Sequence, residues 1–168
     1  MRTRAIGLSL LAAALAVLVQ TTLFAQVRIF DVAPDLVMLT VIAVARRLEP
    51  EPAVLLGFTS GLALDLLGSS PLGLRALVLT LIAYATVRTR DRFDINVVFT
   101  GLAVVLLSLL GVLLIVVIGT LFGEASFRDP NVFRKILLVP IYNLALSVAV
   151  FPLVTLVVGG RRRRESLL

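Results

Sequence analysis

Six apolar segments, separated by short connections that carry most of the arginines, dominate this sequence of 168 residues. The chain is 60% hydrophobic and 15% charged, whereas soluble domains average about 45–50% apolar and about 25% charged residues. Most of the chain must therefore lie in lipid, and no room is left for a separate soluble domain. We predict an all-α integral membrane protein with six transmembrane helices in one bundle, as a single transmembrane domain over residues 1–168.

The predicted helices follow the apolar segments. Their approximate bounds are 6–24, 34–45, 53–67, 72–87, 96–121 and 136–158. The first segment follows Arg2 and Arg4 as in a signal peptide, but no convincing cleavage site comes after it, so we expect an uncleaved helix. The second and third segments are shorter than the bilayer core of about 30 Å. We expect them to extend into flanking residues or to lie inside the bundle, with a re-entrant hairpin as the alternative.

Positive charge is unevenly divided between the two sides of this predicted bundle. With six spans, eleven arginines share the side of both termini, and the other five basic residues fall on the opposite side. The positive-inside rule then places both termini in the cytoplasm. We expect membrane lipid rather than nucleic acid as the partner of these charges. At the C-terminus, the residues expected to hold anionic lipid, with docking to a protein as the alternative, are Arg161, Arg162, Arg163 and Arg164.

A glycine-edged segment that contains an aspartate is the most unusual of the apolar segments. Gly57, Gly61 and Asp65 recur at every fourth residue, so on a helix they share one face. Small residues at this spacing let the backbone of another helix approach closely. A carboxylate at membrane depth should face protein or water rather than lipid. The face should therefore meet a neighbour, which is either another helix of this chain or a partner protein.

The turn after this segment offers a partner for the aspartate. Arg75 lies ten residues beyond Asp65, across a turn that runs from Gly68 to Gly73. We expect an ion pair or a cap that holds the hairpin closed, with direct contact to a ligand or partner protein as the alternative. The candidate residues for helix packing or a partner interface are Gly57, Gly61, Asp65, Leu72, Gly73 and Arg75.

The sequence shows no catalytic constellation. It contains neither cysteine nor histidine, which removes thiolate chemistry, the commonest metal ligand and the near-neutral general base. Ser60, Ser69 and Ser70 therefore have no histidine to activate them. Asp65 is the only acid well inside a predicted span, and the Gly57-x3-Gly61 pattern is not followed by the lysine of a phosphate-binding loop. We predict a non-enzyme that has no cofactor and no metal.

Four sequence elements, in order along the chain, resemble the MreD family of bacterial rod shape-determining membrane proteins. They cover nearly the whole chain, and the central one is the most specific. In chain order they are Gln20-Thr21-Thr22, then Pro34-Asp35-Leu36, then Gly57-Phe58-x-x-Gly61-Leu62-x-x-Asp65 followed by Pro71-Leu72-Gly73, and last Pro140-x-Tyr142-Asn143 followed by Pro152. We expect the polar residues of the first element to form hydrogen bonds between helices.

The resemblance implies a role rather than a reaction. It implies a scaffold of the cell-elongation complex, in the bacterial cytoplasmic membrane, that binds an MreC-like bitopic protein. Through that partner the scaffold would meet a transpeptidase, a RodA-type polymerase and an MreB-like filament, and it would support lateral peptidoglycan synthesis. The fold is also similar to the substrate-binding subunits of energy-coupling-factor vitamin transporters. Such a subunit is the alternative function, and it would dock an ATPase module through small residues such as Ala12 and Ala16.

Overall fold

The computed structural model describes residues 2–23, 32–68, 70–93, 96–124 and 129–158, and within these ranges it is helical with no strand. Arg161, Arg162, Arg163 and Arg164 lie outside the described residues, so their expected contact with lipid stays a prediction. The six helices are α1 (Arg2–Thr22), α2 (Leu36–Ala45), α3 (Pro50–Leu67), α4 (Leu74–Phe93), α5 (Val97–Leu121) and α6 (Val132–Val158).

The short helix α2 lies at the centre of the bundle and contacts all five other helices. Its residues from Val37 to Ala45 are all buried. A helix that is apolar on every face needs neighbours on every side, and here the other helices provide them. At about 1.5 Å per residue, its ten residues span only about 15 Å. The short second segment therefore lies inside the bundle, which is one of the three arrangements that its length suggested.

Consecutive helices alternate in direction, which gives the bundle two chemically different ends. At the first, the C-terminal parts of α1, α3 and α5, the segment before α2 and the N-terminal parts of α4 and α6 surround one cavity. We call this the cavity end. At the other, which we call the arginine end, three arginines join the helices. Arg46 Nη2 donates to Thr100 Oγ1 at 3.1 Å, Arg47 Nη2 to Thr155 Oγ1 at 2.6 Å, and Arg90 Nη1 to the Leu48 carbonyl at 2.6 Å.

Two of the described helices, α5 and α6, are long and apolar enough to cross a membrane. They have 25 and 27 residues, and their most apolar stretches reach a mean hydropathy of 3.2 and 2.2. Large apolar side chains cover the outer faces, as at Leu121, Phe133 and Leu156, each at least 80% exposed. A soluble monomer rarely exposes so continuous an apolar surface. The exterior therefore suits contact with lipid.

The helices differ from the apolar segments mainly at their ends. The helix α3 begins at Pro50 rather than near Ala53, because proline is favoured in the first turn, where no N–H is needed. The helix α4 continues through its arginines to Phe93, because arginine is a good helix former although it ends an apolar run. The helix α2 begins at Leu36 because Asp35 takes the N-cap position, where its carboxylate accepts from the next turn.

Candidate functional site

The glycine face of α3 is filled by α4 of the same chain. Gly57 and Gly61 are both buried. A Cβ atom built on Gly57 would lie 2.5 Å from the Leu79 carbonyl oxygen, and one on Gly61 would lie 2.4 Å from Ala76 Cα. Real Cβ atoms do not approach backbone atoms so closely. The two helix backbones are therefore in direct contact, and any larger residue at Gly57 or Gly61 must push them apart.

Asp65, one turn further along this face, caps the N-terminus of α4. Its side chain is buried, with 4% of the residue exposed. The carboxylate accepts hydrogen bonds from Ser70 Oγ at 3.2 Å and from the backbone N–H groups of Gly73 at 2.9 Å, Arg75 at 3.1 Å and Ala76 at 3.1 Å. Four donors thus satisfy a charge that would otherwise be costly to bury.

The predicted ion pair between Asp65 and Arg75 is wrong, and the cap that we considered beside it is what forms. Asp65 bonds to the backbone N–H of Arg75, and within the described residues no ion pair joins the two side chains. The first N–H groups of a helix have no partner inside the helix, and the helix dipole is positive there. Because α3 delivers the carboxylate to these donors, no guanidinium is needed to neutralise it.

The six candidate residues all lie in the hairpin of α3 and α4, but their surroundings differ. Gly57, Gly61 and Asp65 are buried between α3 and α4. Gly73 shapes the turn with a φ of 93°, in the left-handed region that favours glycine. Leu72 is 70% exposed at the same turn, whereas Arg75 is partly buried and lines the cavity. The exposed leucine thus projects away from the packed interface.

A second polar connection links the end of α1 to the start of α2. The Gln20 side chain donates from Nε2 to the Pro34 carbonyl at 3.0 Å and accepts at Oε1 from the Leu36 N–H at 2.8 Å. The expectation of hydrogen bonds between helices therefore holds for Gln20. It fails for Thr21 and Thr22, whose hydroxyls bond to carbonyls of α1 itself, because a threonine hydroxyl reaches the preceding turn of its own helix.

Asn143 is a buried connecting residue to which the sequence assigned no contact. It is fully buried in α6. Its Oδ1 accepts from the Asp35 N–H at 3.1 Å, and its Nδ2 donates to Ser108 Oγ of α5 at 3.0 Å. An amide in an apolar helix is a recognisable signal for a contact between helices, but it does not identify the partners. The tertiary structure supplies them from two other parts of the chain.

The cavity at this end has a volume of about 620 Å³. Apolar residues such as Val112 and Val116 of α5 form part of its wall, and charged residues such as Arg75, Glu124 and Lys135 form another part. A wall with both characters can hold a ligand that has an apolar and a charged portion. No group of three or more metal-ligating side chains occurs in the part of the chain that the structure describes.

These features define a small all-helical bundle with an apolar exterior and no recognisable catalytic centre among its described residues. A family model described as rod shape-determining protein MreD matches residues 1–158. The chain belongs to the MreD family, a family of membrane-associated proteins that determine rod shape. No curated protein and no solved structure matches the chain.

Proposed function

We propose that this protein is a non-enzymatic scaffold of the bacterial cell-elongation complex. It binds an MreC-like bitopic protein and, through it, acts with a transpeptidase, a RodA-type polymerase and an MreB-like filament in lateral peptidoglycan synthesis. The match of the MreD family over residues 1–158 carries this proposal. The bundle supports it, because two of its buried polar side chains join helices: Asp65 caps α4, and Asn143 connects α6 to α5 and to the start of α2.

We further propose that all six helices cross the cytoplasmic membrane, with both termini in the cytoplasm. The alternating direction of the helices supports this topology, and so does the cluster of Arg46, Arg47 and Arg90 at the end where α1 begins and α6 ends. Reporter fusions after the C-terminus and near Arg90 should read cytoplasmic, and one near Asp129 should read external. An external reading for the C-terminus contradicts the six-span topology.

The rival function is a substrate-binding subunit of a vitamin transporter. Family membership favours the role in cell shape. A contact also argues against the rival, because Ala16, one of the small residues expected to dock an ATPase module, is 6% exposed and packs in the bundle core. A residue already used inside the bundle offers little surface to a second protein.

Co-purification decides between the two functions. The tagged protein, extracted from membranes in mild detergent, should retain an MreC-like partner, and its depletion should round the cells. The same preparation should not bind radiolabelled vitamins. Vitamin binding without retention of the partner would support the transporter subunit and overturn the scaffold. A Gly7→Ala variant should behave like the wild-type protein in both assays and controls for a substitution that leaves the packing unchanged, because a Cβ atom at Gly7 meets nothing within 4 Å.

A further inference from the structure

The cavity end contains a site that the scaffold role does not use. Its volume of about 620 Å³ falls in the range of about 300–1,000 Å³ that is typical of small-molecule sites. Val112 and Val116 of α5 and Val139 of α6 contribute an apolar wall. Charged side chains of Glu124 and Lys135 lie on another part of the same wall.

The acidic side chains on this wall are already engaged. The Asp35 carboxylate accepts from the Met38 N–H at 2.9 Å as the N-cap of α2. Asp129 forms an ion pair with Lys135, and Glu124 also has an interaction partner. A bound cation would have to compete with these contacts. These acidic side chains therefore do not indicate a cationic ligand.

Arg75 differs from these acids, because its charged group has no partner among the residues that the structure describes. Its backbone N–H donates a hydrogen bond to Asp65, but its guanidinium forms no hydrogen bond or ion pair with any of these residues. The residue is partly buried and lines the cavity. A guanidinium offers five donors in a planar fork that matches phosphate or carboxylate oxygens. An anion in the cavity would give Arg75 the partner that the protein does not supply.

We infer that this cavity binds an amphiphile, with its anionic phosphate or carboxylate on Arg75 and its apolar portion against Val112 and Val116. The anion has two sources, the headgroup of a membrane lipid or a soluble anionic molecule. Both place the same chemistry on Arg75. The inference rests on the cavity and its charges alone and is independent of any protein partner.

Native mass spectrometry of the purified full-length protein tests this site with three probes. They are short-chain phosphatidylglycerol, phosphatidylcholine with the same chains, and glycerol 3-phosphate. The variant is Arg75→Gln, which keeps the backbone N–H that Asp65 needs. The matched control is Arg88→Gln, an exposed arginine on the same helix. Thermal unfolding of both variants verifies that each is folded.

We expect an anionic probe to bind the wild-type protein, and Arg75→Gln to weaken that binding about tenfold or more while Arg88→Gln leaves it unchanged. Preference for phosphatidylglycerol identifies a lipid headgroup as the source, whereas equal binding of glycerol 3-phosphate identifies a soluble anion. Equal binding of phosphatidylglycerol and phosphatidylcholine, without binding of glycerol 3-phosphate, overturns the inference. So does binding that Arg75→Gln leaves intact in a folded protein.

Discussion

The α3–α4 and α5–α6 hairpins are both pairs of antiparallel helices, but different contacts hold them together. Between α3 and α4, the backbones are in contact at Gly57 and Gly61, and the buried carboxylate of Asp65 caps the start of α4. Between α5 and α6, a Cβ atom on Gly101 would meet only the end of a leucine side chain, Leu144 Cδ1, at 3.2 Å. The charged pair beside the start of α6 lies at the surface.

This difference shows why charged residues near a membrane cannot be judged by charge alone. Asp65 is buried and accepts four hydrogen bonds, three of them from backbone N–H groups, so its carboxylate has little freedom to move. Asp129 and Lys135 remain 30% and 46% exposed, and water can replace either partner. The first hairpin should therefore be rigid and intolerant of substitution. The second should tolerate changes at its charged residues.

The largest effect is expected at the contact between backbones. Gly61→Leu forces a side chain against Ala76 and should destabilise the protein by about 1–3 kcal/mol or more, because neither backbone can move without losing the cap at Asp65. The measurement is the amount of folded protein in the membrane and its melting temperature in detergent. Gly7→Leu is the matched control, since the space around Gly7 is open. Equal melting temperatures for Gly61→Leu and the wild type would refute the close contact.

The next effect separates a cap from an ion pair. Asp65→Asn removes the charge and replaces one acceptor with a donor that faces N–H groups, so we expect a loss of about 1.5–3 kcal/mol. Arg75→Gln keeps the N–H that the cap uses and should change stability by less than about 0.5 kcal/mol. The double variant should match Asp65→Asn. An ion pair would instead destabilise both single variants, and the double variant would recover part of the loss.

Asn143 tests a connection that lies outside the first hairpin. Asn143→Ala leaves the Asp35 N–H and the Ser108 hydroxyl without their partner, and we expect a loss of about 1–3 kcal/mol. Ser147→Ala on the same helix is the control, because its hydroxyl bonds only to the Leu144 carbonyl of its own helix. Chemical denaturation in detergent measures both. If the two variants are equally stable, the buried amide does not hold α6 in place.

The smallest effect is expected at the exposed pair. The hydrogen bond from Lys135, with a second from the Asn131 backbone, lowers the pKa of Asp129 from its ordinary value of 3.8. Because the pKa of Asp129 is lowered in the folded state, the pair's contribution to stability is present above pH 3.8. It is lost as the pH falls through the pKa of the folded state. Asp129→Asn should therefore cost less than about 1 kcal/mol at neutral pH. Its unfolding free energy should converge with that of the wild type in acid, and a constant difference would exclude the pair as its source.

The pattern of apolar segments was sufficient to predict six helices, because hydrophobicity over a helical length is a local property that the sequence states directly. The close contact at Gly57 and Gly61 could also be predicted from the sequence, since a helix with small residues at every fourth position has a flat face. What the sequence left open there was the identity of the neighbour. The structure supplies α4.

The tertiary structure alone decided how the polar groups are used. Asp65 and Arg75 are near in sequence and opposite in charge, so an ion pair was a reasonable expectation, but the donors that satisfy Asp65 are the free N–H groups of a helix end. Likewise, both hydrogen-bond partners of Asn143, the Asp35 N–H and the Ser108 hydroxyl, lie more than thirty residues away from it in the sequence. Sequence patterns report which residues share a face of one helix. They do not report which helix ends meet, because that depends on how all six helices pack at once.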